Sequence, residues 1–283
     1  MAEKTMNKNI LLVFFLILLP VSVMMGWGAE GHRLISREAM TLLPDEMNAF
    51  IKWQDYISVH SVDPDLRRKN DKSEAPKHFI DIDFYPEFLN GRMIHDKAEL
   101  VKEYGDSVVT KMGLLPWATL DTYNNLVKAL KEKNRDKALI YAADLGHYVA
   151  DGHQPMHTIM NYDGQMTGQK GIHYRYESIM VDSNLSEITG DFRAENAQYV
   201  KDPINFIFGY ITDANSVADL LFDSDSFAFK MANSRESADY YKFLWFRTKY
   251  ITETQIENSS RDFASLLYSA WVDAGKSSFD EIK

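Results

Sequence analysis

Several of the eight histidines stand at fixed steps from carboxylates. In His147-Tyr-Val-Ala-Asp151-Gly-His-Gln-Pro-Met-His157, the first His and the Asp are four apart inside a strongly helical run. On a helix that step puts both side chains on one face, one turn apart, so that two ligands face one ion. Gly152 and Pro155 end the helix, and His157 follows on the turn. His173-Tyr-Arg-Tyr-Glu177 repeats the four-residue step. Upstream lie Trp27-Gly-Ala-Glu-Gly-His32 and His60-Ser-Val-Asp63-Pro-Asp65, with His78 fifteen residues after Asp63. One His–Asp pair alone is usually a solvated surface pair; two, with further His and Asp nearby, argue for a metal site. Imidazole nitrogen and carboxylate oxygen without sulfur suit zinc in a catalytic role.

These groups need a rigid frame, and the chain reads as helical. Apolar residues recur at helical period over Leu34–Leu43, Asp45–Ile57, Ala98–Met112, Thr119–Lys133 and Lys137–Ala150. Further helices are expected near Ile204–Phe222, Ser234–Tyr250 and Asn258–Ala274. The only strand-like alternation is His78–Phe84, and it is short. The charged, proline-containing Ser61–Lys77 and the stretch Asn161–Gly171 read as loops. No linker or repeat divides residues 27–283, so one all-α domain is expected.

With 45% apolar and 13% aromatic residues, 283 residues can build a sizeable core. The net charge of −10 argues against wrapping nucleic acid by bulk charge, although bound divalent ions would invert the field locally. Lys4 and Lys8 precede an apolar run from Ile10 to Met25, interrupted by Pro20 and followed by no basic cluster. Residues 1–26 therefore read as a signal peptide, cut before Trp27, which makes the protein exported, with an uncleaved anchor as the alternative. Cleavage leaves a mature charge of −11, because two lysines and one glutamate depart. There is no cysteine, so any metal must rest on His, Asp, Glu and backbone groups.

The pattern His147-x3-Asp151-x5-His157, with Gln154-Pro155-Met156 before the last His, joins Trp27 and the His173–Glu177 pair in one constellation. In this the chain resembles the superfamily of bacterial zinc-dependent phospholipase C and fungal single-strand-specific zinc nucleases. The resemblance covers nearly all of residues 27–283. It implies a multi-helix domain around a buried site of three zinc ions. One ion would be held by Asp63, His78, His147 and Asp151. A second would be held by His157, His173 and Glu177. The third would be held by His32, Asp151 and the α-amino and carbonyl groups of Trp27, an amine of pKa near 8 being a competent ligand once freed. Asp65 competes with Asp63; the fifteen-residue step to His78 favours Asp63.

The implied activity is phosphodiester hydrolysis by metal-activated hydroxide. Asp63 would orient or deprotonate the water, and Arg67 or Arg68 would neutralise phosphate. The substrate is a phospholipid head group or single-stranded nucleic acid. Glu177, Glu30 three residues after Trp27, and the lack of a Gly-Gly-Asn run in Asn161–Gly171 lean toward phospholipase C. The five-residue step from Trp27 to His32 leans toward nuclease. Together these cues lean to a phospholipase C-like enzyme, with a single-strand-specific nuclease as the alternative and a non-catalytic exported zinc protein as a third reading; no obligate protein partner is implied. Aromatic stacking sites beside the metals would mark a nuclease. An apolar rim, from Trp53, Tyr56, Phe79 and Phe84, would mark a phospholipase, although such residues usually pack in cores. His60 and His95 read as loop residues and His153 as a surface or ligand-supporting group. Asp81 and Asp83 read as supports for a ligating imidazole or as plain loop carboxylates.

Overall fold

The computed structural model describes residues 27–282; the expected signal peptide lies outside the described residues. Among those residues the chain is one all-helical domain without a strand. The helices in order are α1 (Gly28–Thr41), α2 (Gln54–His60), α3 (Asp63–Arg67), α4 (Pro86–Leu89), α5 (Lys97–Tyr104), α6 (Asp106–Lys111), α7 (Leu115–Lys131), α8 (Arg135–Gly152), α9 (Ile172–Tyr174), α10 (Val181–Asp191), α11 (Pro203–Ser216), α12 (Ala218–Ala232) and α13 (Ala238–Asp273). A 3₁₀ segment, Asp45–Trp53, leads into α2, and a π-helical turn, Arg175–Met180, joins α9 to α10.

The pivot is α8. Asn134 caps it by accepting a hydrogen bond from the Lys137 amide, which satisfies one orphan donor of the first turn. Its length then follows from Ala138, Ala142, Ala143 and Ala150, small residues of high helix propensity that also permit close packing. Helices α1, α2, α7 and α13 all pack against it. Two apolar clusters fill the interior. Leu145 and Val149 of α8 belong to one, with Ala39, Tyr123 and Phe263. Ala150 belongs to the other, with Trp27, Ile35 and Tyr176. Helices α1 and α8 contribute to both, and the buried polar side chains of these two helices lie where the clusters meet.

The structure departs from the periodicity in several places, among them the helix expected near Ile204–Phe222, which breaks at Val217 into α11 and α12. Ser61–Lys77 contains α3 and a 3₁₀ turn, Ala75–His78. The alternation at His78–Phe84 buries Ile80 and Ile82, but the segment pairs with no strand; Ile80 instead donates to the carbonyl of His157 at 2.9 Å. Gly105, at φ 85°, splits the expected Ala98–Met112 helix into α5 and α6. The two helices expected near the C-terminus are one helix, α13. Its middle escaped the apolar pattern because its buried face there is polar: Thr252, Gln255, Ser259 and Ser260.

Candidate metal centre

Three groups of side chains come together with ligand atoms within 4.8 Å of one another: His32, His147 and Asp151; Asp65, His78 and His147; and His157, His173 and Glu177. All are buried. His147 and Asp151 face each other across one turn of α8, Nε2 to Oδ2 3.1 Å. His32, from the first turns of α1, stacks on His147 with ring centroids 4.1 Å apart. His78 Nδ1 lies 2.9 Å from His147 Nε2 and 3.0 Å from Asp151 Oδ2. In the third group, His157 Nε2 and His173 Nε2 are 3.1 Å apart, and Glu177 Oε2 is 2.7 Å from His173 Nε2. Trp27 is fully buried at the head of α1, where its indole donates to the carbonyl of Ala150, next to Asp151.

Of the two aspartates, the structure sets Asp65 rather than Asp63 among the histidines. Asp65 joins His78 and His147, with Oδ1 3.6 Å from His78 Nδ1, while Asp63 is 43% exposed and bonds to His60 at 2.8 Å. The five-residue helix α3 makes the difference, because two positions along a helix rotate a side chain by more than half a turn. The candidate phosphate ligand Arg67 is turned aside as well. It makes a bidentate pair with Asp144 at 3.0 and 2.9 Å and reaches Glu74. Glu30 is half exposed and pairs with Arg33, away from the cavity described below.

Backbone and side-chain partners fix the tautomers. His147 Nδ1 lies 2.7 Å from the carbonyl of Ser61, and His157 Nδ1 lies 2.6 Å from that of His78, which leaves each Nε2 turned to the centre. Gln154 accepts from the Met156 amide and donates to Glu177 Oε2 at 2.9 Å. Tyr148 packs its ring edge-on against both His78 and His147 and donates its hydroxyl to Glu74. Sequence reading missed Glu74, buried in a charge-dense segment taken for a loop, and it missed Tyr162. Asp81 lines the cavity, as does Phe79; Asp83 instead accepts from the Met160 amide. His153 is buried against Tyr210 and Asp262, and His95 stacks on Phe208.

Burial sets the protonation of the centre. It holds His32 and His78 well below the usual histidine range, with neighbouring His147 adding to the shift, and it lowers His147 as well. These imidazoles are neutral and ready to ligate. Burial pushes Asp65 up to about 6 and Asp151 up to about 7. Burial acts the same way on Glu177, but His173 and His157 outweigh it and hold the carboxyl below its ordinary value. Both nitrogens of His32, Asp65 Oδ2, Asp151 Oδ1, His78 Nε2 and His173 Nδ1 are buried without a hydrogen-bond partner among the described residues. Each such group costs about 1–3 kcal/mol to leave unsatisfied. Lone pairs of imidazole and carboxylate converging in this way fit bound cations, and the absence of sulfur fits zinc held for catalysis.

The ligand groups floor a cavity of about 210 Å³ lined by His78, His157 and His173 together with Arg68, Phe79, Asp81, Met156 and Tyr162. Asp81 is pushed up to about 7 by burial and by Asp83. A helical domain with a buried cluster of imidazoles and carboxylates, opening on such a cavity, has a donor set of the histidine–carboxylate type that could hold metal ions. The chain belongs to the family described as S1/P1 Nuclease, which it matches over residues 27–256. The match bears out the resemblance drawn from the His147–Asp151–His157 pattern. Among solved structures, Alpha Toxin from Clostridium Absonum shares the fold, with a TM-score of 0.55 at 14% identity over 90% of this chain. This chain covers 65% of the toxin's length. No curated protein matches it.

Proposed function

We propose that the chain is an exported, zinc-dependent phosphodiesterase that cleaves single-stranded nucleic acid. The observation that carries this reading is the cavity, where three ligand groups meet a guanidinium, Arg68, and two aromatic side chains, Phe79 and Tyr162. Of the four aromatics considered for a lipid-binding rim, only Phe79 lines it; Trp53 is buried in the core, and Tyr56 and Phe84 pack against that core. Phe79 and Tyr162 lie beside the ligand imidazoles, Tyr162 with its ring 6.1 Å from that of His173. An aromatic face next to phosphate-binding groups suits base stacking, which tolerates any sequence. The description of the family supports the same substrate. A phospholipid head group is the alternative, supported by Glu177 in the third group.

One zinc would rest on Asp65, His78, His147 and Asp151, a second on His157, His173 and Glu177, and a third on His32, Asp151 and the terminal groups of Trp27. Bound there, zinc supplies Lewis acidity and an acidified water at neutral pH. The chain's own groups do the rest. Arg68, held against Asp65 at 3.1 Å, offers its guanidinium to phosphate oxygens at the cavity wall. Asp65 Oδ2 takes the role first given to Asp63, accepting a proton from the attacking water. Asp81, at the same wall, can hydrogen-bond the edge of a base stacked on Phe79. The test is a paired assay of protein beginning at Trp27 on single-stranded DNA and on phosphatidylcholine, with and without chelator. Chelator-sensitive cleavage of DNA with phosphatidylcholine untouched is the expected result; the reverse pattern would transfer the site to phospholipid, and chelator-insensitive turnover would refute zinc.

A further inference from the structure

Arg175 lies between two of the ligand candidates, His173 and Glu177, yet its guanidinium is engaged elsewhere. Nη2 donates to Asp225 Oδ1 at 3.1 Å and to the carbonyl of Gln169 at 3.0 Å. Nη1 donates to the carbonyl of Lys170 at 3.0 Å, and Nε to the Tyr240 hydroxyl at 3.2 Å. Asp225, on α12, is fully buried. It also accepts from Arg235 Nη2 at 2.8 Å, from Gln169 Nε2 at 3.0 Å and from Tyr240. Burial pushes its carboxyl up, but the bonds from Arg235, Tyr240 and Gln169 outweigh it and hold the group below the usual carboxylate range, so it is an anion.

A buried carboxylate with two guanidinium partners is a weak way to add stability, since well-packed apolar residues often do as well. Its placement suggests another use. The pair ties four elements together: the segment 161–171, which carries Tyr162; the turn that carries His173 and Glu177; α12; and α13 through Tyr240. The turn is the part most in need of a tie. Arg175–Met180 is π-helical, a rare geometry that occurs frequently at functional sites. Gly171 belongs to the same arrangement. Its φ is +87°, and a Cβ there would sit 2.7 Å from Arg175 Nη1, so only glycine lets the guanidinium close on the loop.

We infer that Asp225 and Arg175 are positioning residues for the zinc site formed by His157, His173 and Glu177. They set the turn that aims His173 and Glu177 at His157, and they seat Tyr162 over the same site. The inference rests on the zinc reading above. Its test is binding of zinc itself, measured on metal-free protein beginning at Trp27 by titration with Zn(II) against a competing chelator, with the melting temperature recorded in parallel. In Asp225→Asn the charge is lost at constant shape; in Arg175→Lys the charge remains and the fork is lost, which gives a second variant if the first does not fold. Affinity for one ion should fall about 10–100-fold while the others hold their native values, the usual effect of removing a partner that orients ligands. Co(II) in place of zinc should show the same selective change in its visible spectrum. A lower melting temperature with every zinc affinity unchanged, or an equal fall at all sites, would reduce the pair to a structural tie and overturn the inference. Native protein that binds no zinc at saturation would instead sink the metal reading itself.

Discussion

Replacing each of two neighbouring aspartates in turn separates the geometry of the centre from the sequence spacing that pointed to it. Burial lifts the Asp65 carboxyl from 3.8 to about 6. Two units at about 1.4 kcal/mol each mean that keeping this group ionised in the metal-free protein at neutral pH costs about 3 kcal/mol. The folded-state value is raised, so the penalty is complete above pH 6 and vanishes below about pH 4. Metal-free Asp65→Asn should therefore be more stable than the native chain at pH 7, by up to about 3 kcal/mol, the help of Arg68 being already part of the shift, and the gap should close toward pH 4. With zinc the sign reverses, because the amide cannot serve as an anionic ligand. Supporting partners alone are worth about 10–100-fold in affinity, so a lost ligand should weaken one ion by at least about 1.4–2.8 kcal/mol. Asp63→Asn, at an exposed pair with His60, should change stability by less than about 1 kcal/mol and leave zinc binding intact. Urea unfolding with and without zinc, together with zinc titration of both variants, reads all of these quantities. Native zinc affinity in Asp65→Asn with an ion lost in Asp63→Asn would refute the assignment.

Three other outcomes follow from the same centre. Zinc affinity at the Asp65–Asp151 site should fall at least about 20-fold from pH 8 to pH 6, because carboxyls near 6 and 7 take up protons there while His78, held well below its usual range, stays neutral; a fall of several hundred-fold by calorimetric titration would mean that the histidines titrate normally. Phe79→Ala should raise KM for single-stranded DNA by about 5–150-fold, from a stacking energy of about 1–3 kcal/mol per base, with kcat little changed; an unchanged KM would remove Phe79 from the substrate path. One alanine placed before Trp27 converts the α-amino group into an amide and should cost the protein one zinc by elemental analysis; equal zinc content in both forms would show that the terminus is no ligand.

The charge of the chain is consistent with this centre. A net charge of −10 repels nucleic acid at long range, so attraction must be local. Without metal the centre offers little of it, since burial keeps His32, His78 and His147 neutral. Divalent ions held by these groups would make the centre the strongest positive charge in the region. Arg68 would add to that field at the cavity wall, which would tie binding of the proposed substrate to metal loading.

Helix α8 was legible because its alanines, its start near Asn134 and its Gly152–Pro155 end all agree with the apolar period. The His147–Asp151 face followed from that helix alone. What the sequence hid lies mostly against the centre. Asp65 could not be told from Asp63 until the short α3 fixed which of the two turns inward. The alternation at His78–Phe84 came from a segment whose odd positions face the cavity through Phe79 and Asp81, with no strand beside it. The join in α13 was invisible because its buried middle carries Thr252, whose hydroxyl meets Tyr176 at 3.1 Å, and Gln255, whose carbonyl faces His153. The turn after His173 is π-helical, which no period of 3.6 describes. Local rules assume that buried positions are apolar and that helices are regular. A centre built from imidazoles and carboxylates breaks both assumptions in α3 and in the turn after His173, whereas the break at Gly105 follows from the backbone conformation of that residue alone.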